Sequence, residues 1–194
     1  MIRWLMTVAA ALAAVTATAP VAADAVESRA AALAPGEFVW TPERADAGPV
    51  EIVIGLAEQR AWVFRDGELI GISTVSSGKE GHESPVGRFQ ILQKRRNHRS
   101  NRYGNAPMPF MQRLNWYGVA LHGGHVPDHP ASHGCIRLPI GFARALYGAT
   151  ELGSFVYVSG EPIGSAGRAL ALARANADAP MPPDRTFEWV RAGR

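Results

Sequence analysis

Cysteine is almost missing from this chain of 194 residues: Cys135 is the single one, so neither a disulfide framework nor a cysteine-rich zinc domain can be built. Long apolar runs are short supply as well. The uncharged, Ala-rich run from Trp4 to Val15 has about twelve residues, well under the roughly 18–20 that a membrane-spanning helix needs. No internal repeat is visible, and the 20 Gly and 14 Pro follow no collagen-like period. Neither sign of charge dominates, with 20 Lys and Arg against 17 Asp and Glu. What is present is a globular composition, 47% hydrophobic and 19% charged, which excludes wholesale disorder and a multi-pass membrane protein. The length suits one compact domain with modest extensions.

The N-terminus has the order of a secretory signal: Arg3, the apolar run, then small residues at Pro20-Val21-Ala22-Ala23. Residues 1–23 are therefore read as a signal peptide and the protein as exported, to the periplasm, with no membrane span after cleavage. No Cys stands at the cleavage site to carry a lipid. Removing Arg3 changes the formal charge from +3 to +2. Basic charge is concentrated at Lys94, Arg95, Arg96, Arg99 and Arg102. In a cytosolic protein that cluster would raise the question of nucleic acid, which export argues against. A solvated basic loop is the plain reading, and attraction to an acidic exported polymer such as cell-wall peptide is the functional one.

Residues 24–48 show no clear period and are read as a linker or irregular lead-in. Short β-prone runs follow at Val50–Ile54, Arg60–Phe64 and Leu69–Val75, with Arg65-Asp66-Gly67-Glu68 as a hairpin turn between the last two. Further strands are expected at Arg88–Leu92, Asn115–Leu121 and Ser154–Val158. A helix is expected from Pro139 to Tyr147, and an Ala-rich helix from Ala166 to Ala177, ended by Pro180-Met181-Pro182-Pro183 before an aromatic tail with Phe187 and Trp189. The core is expected to begin after residue 48, with residues 160–194 as a C-terminal extension.

Chemistry is densest from Leu121 to Leu138, where four of the six His lie with the only Cys. One reading makes His122, His125, His129, His133 and Cys135 metal ligands. Their intervals would share a helical face, but Gly123, Gly124, Pro127 and Pro130 oppose a helix. A second makes Cys135 an inert, buried small hydrophobe. Its neighbours Ser132, His133, Gly134 and Arg137 oppose that, since cationic and N–H groups lower a thiol pKa from about 8.5. The third is a Cys-His acyl-transfer site. Cys135 attacks a carbonyl, an imidazole handles the proton, and the N–H groups of Gly134 and Cys135 stabilise the oxyanion. Arg137 suits a substrate carboxylate, and no metal or organic cofactor is required.

The segment Ser132-His133-Gly134-Cys135-Ile136-Arg137-Leu138, preceded by Leu121-His122-Gly123, resembles the signature of the L,D-transpeptidase catalytic domain, the YkuD-type family. Ser84-Pro85-Val86-Gly87-Arg88-Phe89 is similar to a second family segment, and the resemblance spans about residues 49–159. It implies a mainly β fold, a partly closed sandwich or barrel with one or two short helices, presenting the Cys in a cleft under a mobile flap. It also implies the reaction. A Cys thiolate cleaves the bond between the third residue of a peptidoglycan stem tetrapeptide and D-Ala, and the resulting thioester passes to an amine. A stem amine gives a 3→3 cross-link, a protein lysine gives wall anchoring, and water would make the enzyme an L,D-carboxypeptidase.

Carried over by position, Cys135 is the nucleophile, His122 the base, and Gly123 the source of a backbone carbonyl that orients the imidazole. His133 and Gly134 shape the oxyanion pocket, and Ser132 and Arg137 support site and substrate. Acylation of Cys135 by carbapenems is a further implication. The loop from His122 to Cys135, thirteen positions, is shorter than in many members and contains His125 and His129, which compete for the base role. The early part of the helix after Leu138 lacks an acidic residue that many relatives carry, with Gly141-Phe142 there instead. Tyr103 to Arg113 either lines the cleft or forms a hydrophobic strand. From another class, the alternative is a non-enzymatic exported metal- or wall-binding module.

Overall fold

The computed structural model describes residues 26–30 and 32–181, and the signal segment and the Phe187/Trp189 tail lie outside them. Among the described residues, ten strands form two open sheets. The larger contains β1 (Phe38–Trp40), β4 (Glu68–Thr74), β3 (Arg60–Arg65), β2 (Val50–Gly55), β10 (Phe155–Ser159) and β5 (Gly87–Gln90), in that spatial order. The smaller runs β6 (Gln93–Arg95), β7 (Met111–Arg113), β8 (Ala120–Gly123), β9 (Ile136–Leu138). Among the described residues the helices are α1 (Ile140–Ala149) and α2 (Ala166–Ala175), with a helical stretch at 26–30 and a 3-10 turn at Pro42–Arg44. This is the mainly β, sandwich-like fold that the sequence implies.

The period of two in the strands explains why both faces of the large sheet are covered. Ile52, Ile54, Val63 and Ile70 point into a core shared with Leu121, Ile136 and Leu138 of the small sheet and with Phe142 and Leu146 of α1. Their neighbours Val53, Trp62 and Phe64 point the other way, as does Ile72, which a register shift in the β3–β4 pairing at Val63/Phe64 separates from the face of Ile70, against Ala166, Ala169 and Ala173 of α2 and against Val26 and Ala30. Strands buried on both sides need near-continuous apolar runs, as β2 and β3 have. The C-terminal helix is thus the outer cover of the large sheet, not an appendage.

The β3–β4 turn has the two positive φ values of a type I′ hairpin, Asp66 at 49° and Gly67 at 81°. Three other expectations need correction. The lead-in is not irregular: Phe38–Trp40 adds an antiparallel edge strand to β4, and burial of Val39 secures it. The expected strand at Asn115–Leu121 begins only at Ala120. Asn115 Oδ1 accepts from the N–H groups of Tyr117 and Val119, both at 3.1 Å, and a side chain that bonds its own following backbone favours a turn over a ladder. Tyr103–Arg113 is strand only from Met111 onward, and its other reading, as lining of the cleft, holds for Tyr103, Met108, Met111 and Arg113.

Between β6 and β7 the chain rises as a hairpin-like arch, residues 96–110, closed by Phe110 N–H to Arg96 O and Met108 N–H to His98 O, both 2.8 Å. The basic cluster at its base is not all solvated. Lys94 Nζ donates to the carbonyls of Tyr147 and Thr150 at the end of α1, a favourable place for a cation.

Candidate active site

Strands β8 and β9 run parallel in the register Leu121↔Ile136, His122↔Arg137, Gly123↔Leu138. Leu121, Ile136 and Leu138 go to the core, so His122 and Arg137 share the opposite face. That face is the floor of a cavity of about 470 Å³, roofed by the arch and lined also by Ser132, His133 and Cys135. The twelve residues between the two strands, from Gly124 to Cys135, contain no helix, in keeping with their Gly and Pro content.

The loop before β9 is held by a segment of the chain more than fifty residues away. Ser76 and Arg137 exchange backbone bonds of 3.0 and 2.9 Å, and Ser77 O accepts from the N–H groups of Ala131 and Ser132. Ser76 Oγ donates to His129 O at 2.9 Å. Buried Ser84 accepts from Gly78 N–H and donates to Gly134 O, both 2.9 Å, so the two sequence motifs touch directly. Gly134 has φ 108°, which a side chain would strain. Replacing Ser84 with Ala strips the part-buried Gly78 N–H of its acceptor and the Gly134 carbonyl of its donor. A loss of about 1–3 kcal/mol in urea denaturation is expected, together with slower modification of Cys135.

Buried Ser132 donates its hydroxyl to Cys135 O and accepts from Gly134 N–H at 3.1 Å. This commits one of the two N–H groups expected in the oxyanion pocket and leaves that of Cys135. His133 sits between two rings, edge-on to His82 (centroids 4.8 Å) and stacked on Tyr103 of the arch (4.7 Å). Arg137 Nη2 donates to Ala131 O at 3.1 Å.

His122 is 8% exposed, and its Nδ1 lies 2.9 Å from Gly123 O. A carbonyl can only accept, so the ring proton is on Nδ1 and Nε2 is a bare acceptor. Burial pushes its pKa down to about 4; the Gly123 bond opposes this, and Arg137 and His98 add to it. The imidazole is therefore neutral near pH 7. The other two His of the loop separate from it: His125 is exposed at the cavity's rim, and His129 lies outside it, its side chain 66% exposed and bonded to Asp128. Among the described residues, no three His, Cys, Asp or Glu side chains are grouped as metal ligands.

Cys135 packs against Met108, Met111 and Ala120, and its thiol donates to Gly118 O at 3.3 Å. Here the expectation of a lowered pKa is overturned. Burial pushes the thiol up, outweighing the backbone at Ala120 and the charges of Arg113 and Arg137. A neutral thiol and a neutral imidazole with a bare nitrogen thus line one cleft, and a proton moving from the first to the second would make the nucleophile. Sequence reasoning missed Gly118 and the Ser76–Ser77 segment: Gly118 and Ser77 act on the site through backbone carbonyls, and Ser76 adds to its backbone bonds a hydroxyl that no motif marks.

The family model of the L,D-transpeptidase catalytic domain (YkuD) matches residues 49–158. Among solved structures, an L,D-transpeptidase from Stackebrandtia nassauensis is 27% identical with a TM-score of 0.56, covering 72% of this chain and 67% of that one. An L,D-transpeptidase from Mycobacterium tuberculosis is 24% identical with a TM-score of 0.54, covering 57% of each chain. L,D-transpeptidase 3 of the same organism, in complex with a faropenem-derived adduct, is 22% identical with a TM-score of 0.54, covering 58% of this chain and 60% of that one. At these identities the two mycobacterial matches speak for the fold alone, and the chain spans less than two thirds of their length. No curated protein matches the chain.

Proposed function

Because the chain belongs to the L,D-transpeptidase catalytic-domain family, we propose that it is an exported peptidoglycan L,D-transpeptidase that uses Cys135 as nucleophile and His122 as base. The observation that carries this reading is that the Cys135 thiol and the buried, Nε2-bare His122 line one roofed cleft. Peptidoglycan stem peptides are the donors, and the sequence of residues 1–23 supports a periplasmic location.

In the reaction, His122 Nε2 takes the thiol proton as sulfur bonds to the carbonyl carbon of stem residue 3. The Cys135 N–H faces the developing oxyanion, and Ser132, by holding the Cys135 and Gly134 backbone, keeps that donor in place. Collapse breaks the bond to D-Ala, whose amine leaves with the proton from the imidazolium, and a thioester remains. An acceptor amine then attacks the thioester, gives its proton to His122, and the thiol re-forms.

Incubation of the protein with disaccharide-tetrapeptide, followed by mass spectrometry, tests this. A cross-linked dimer with loss of D-Ala is the expected product. Tripeptide alone would reassign the enzyme as an L,D-carboxypeptidase, and no turnover would overturn the reading.

A further inference from the structure

Three arginines line the cavity that holds Cys135: Arg102 from the arch, Arg113 from β7 and Arg137 from β9. No Asp or Glu lines it. The ion pairs of the described residues, Arg44–Glu68 and Asp128–His129, involve none of the three. Their hydrogen-bond partners are neutral: Tyr117 O for Arg102 at 2.9 Å, Ala131 O for Arg137 at 3.1 Å, and Gln93 Oε1 for Arg113 Nε at 3.1 Å. A concave site with three fixed positive charges and no counter-ion focuses a potential that favours an anionic ligand.

Arg113 is the best placed of the three to choose among ligands. Strand alternation puts it on the face of Met111, which packs against Cys135, while Gln112 turns away to bond Thr150 Oγ1 at 2.6 Å. Gln93 holds Nε from one side, and the guanidinium lies 5.6 Å from the centre of the exposed Trp116 ring on the other. Among the described residues its terminal nitrogens have no hydrogen-bond partner, which leaves the fork that suits a carboxylate.

We propose that Arg113 is a specificity residue that recognises a free side-chain carboxylate on the donor peptide, so that the cleft accepts acidic stems and discriminates against stems whose carboxylate is capped as an amide. This rests on the reading of the donor as a wall peptide. A diaminopimelate residue carries such a carboxylate outside the peptide backbone. The C-terminal carboxylate of D-Ala is common to every donor, so selection falls on the side-chain group.

The test is calorimetric titration of the full-length Cys135→Ala protein with the tetrapeptide in two forms, free acid and side-chain carboxamide. The free acid is expected to bind about tenfold or more tightly. Adding Arg113→Gln should bring the two forms within about twofold, and Arg113→Lys should keep part of the difference. Equal binding of the two forms by the protein with Arg113 intact overturns the proposal, as does a preference that survives Arg113→Gln, or failure of the free acid to bind. Turnover of the free-acid form by the wild-type protein is measured in parallel. Turnover with equal binding removes Arg113's role and leaves the transpeptidase reading standing, whereas acid-selective binding without turnover does the reverse.

Discussion

Replacing Cys135 with Ala is expected to lower D-Ala release from a tetrapeptide by about 10⁴-fold or more, because it removes the one thiol of the chain, the proposed nucleophile. The fold should survive. The residue is half-buried, and the change removes a sulfur whose polar contact is one bond to Gly118 O, so near-UV circular dichroism should match the wild type. A carbapenem is expected to add its mass to the wild-type protein and not to this variant. Turnover that persisted in Cys135→Ala would remove the acyl-enzyme from the mechanism. The wild-type thiol carries a second expectation. Since burial raises its pKa, alkylation by iodoacetamide should accelerate only above the pH at which an ordinary cysteine ionises. A rate already at its plateau near pH 6 would instead indicate a resting thiolate-imidazolium pair.

The second large effect belongs to His122. His122→Gln keeps a neutral polar side chain but removes the proposed base, so turnover should fall by about 10²–10⁴-fold. In the wild-type protein the acid limb of kcat/KM should lie near pH 4, and activity should be nearly flat between pH 7 and 5. A limb near 6.5 would show that the imidazole is not desolvated in the free enzyme. Stability has the matching dependence. The unfolded chain protonates His122 near 6.5, while the folded protein resists until about 4. Stability is therefore full above 6.5 and falls as pH drops from 6.5 to 4, by about 3 kcal/mol for this group. His98 and His133, also pushed down by burial, act with the same sign. The difference between wild type and His122→Gln in urea denaturation at pH 7, 5.5 and 4 isolates the share due to His122.

The large sheet was legible in the sequence because its strands are marked by their own residues. Apolar runs at Val50–Ile54 and Arg60–Phe64 and the Asp66-Gly67 turn need no tertiary information. β6, β8 and β9 were harder to place: the last two have four and three residues each, and β9 pairs in parallel with a strand that ends twelve residues before it. Phe38–Trp40 is likewise too short for periodicity, and its pairing with β4 is decided by what the strand covers. At the site, side chains with distinctive chemistry were visible, and Cys135, His122, His133 and Arg137 all line the cleft. The thiol's raised pKa was not, because charge neighbours can be read along the chain but desolvation is a property of the packed surroundings. The arginine lining was hidden for a similar reason. Arg102, Arg113 and Arg137 come from three separate elements, and only the fold brings them to one cavity.

The dependence of the Cys135 loop on residues 76–84 bears on how the molecule folds. Ser76 meets Arg137, Ser77 meets Ser132, and Ser84 meets Gly134, each across fifty or more residues of chain. Contacts of that separation close late, since the entropy of the intervening loop must be lost before they form. The β2–β4 meander is local by comparison and can assemble first. Competence would then arrive with the last cooperative step, when the two sheets lock together. Amide hydrogen exchange at Arg137, whose N–H is bonded to Ser76 O, should accordingly track global unfolding, while the arch over the cleft exchanges through smaller openings.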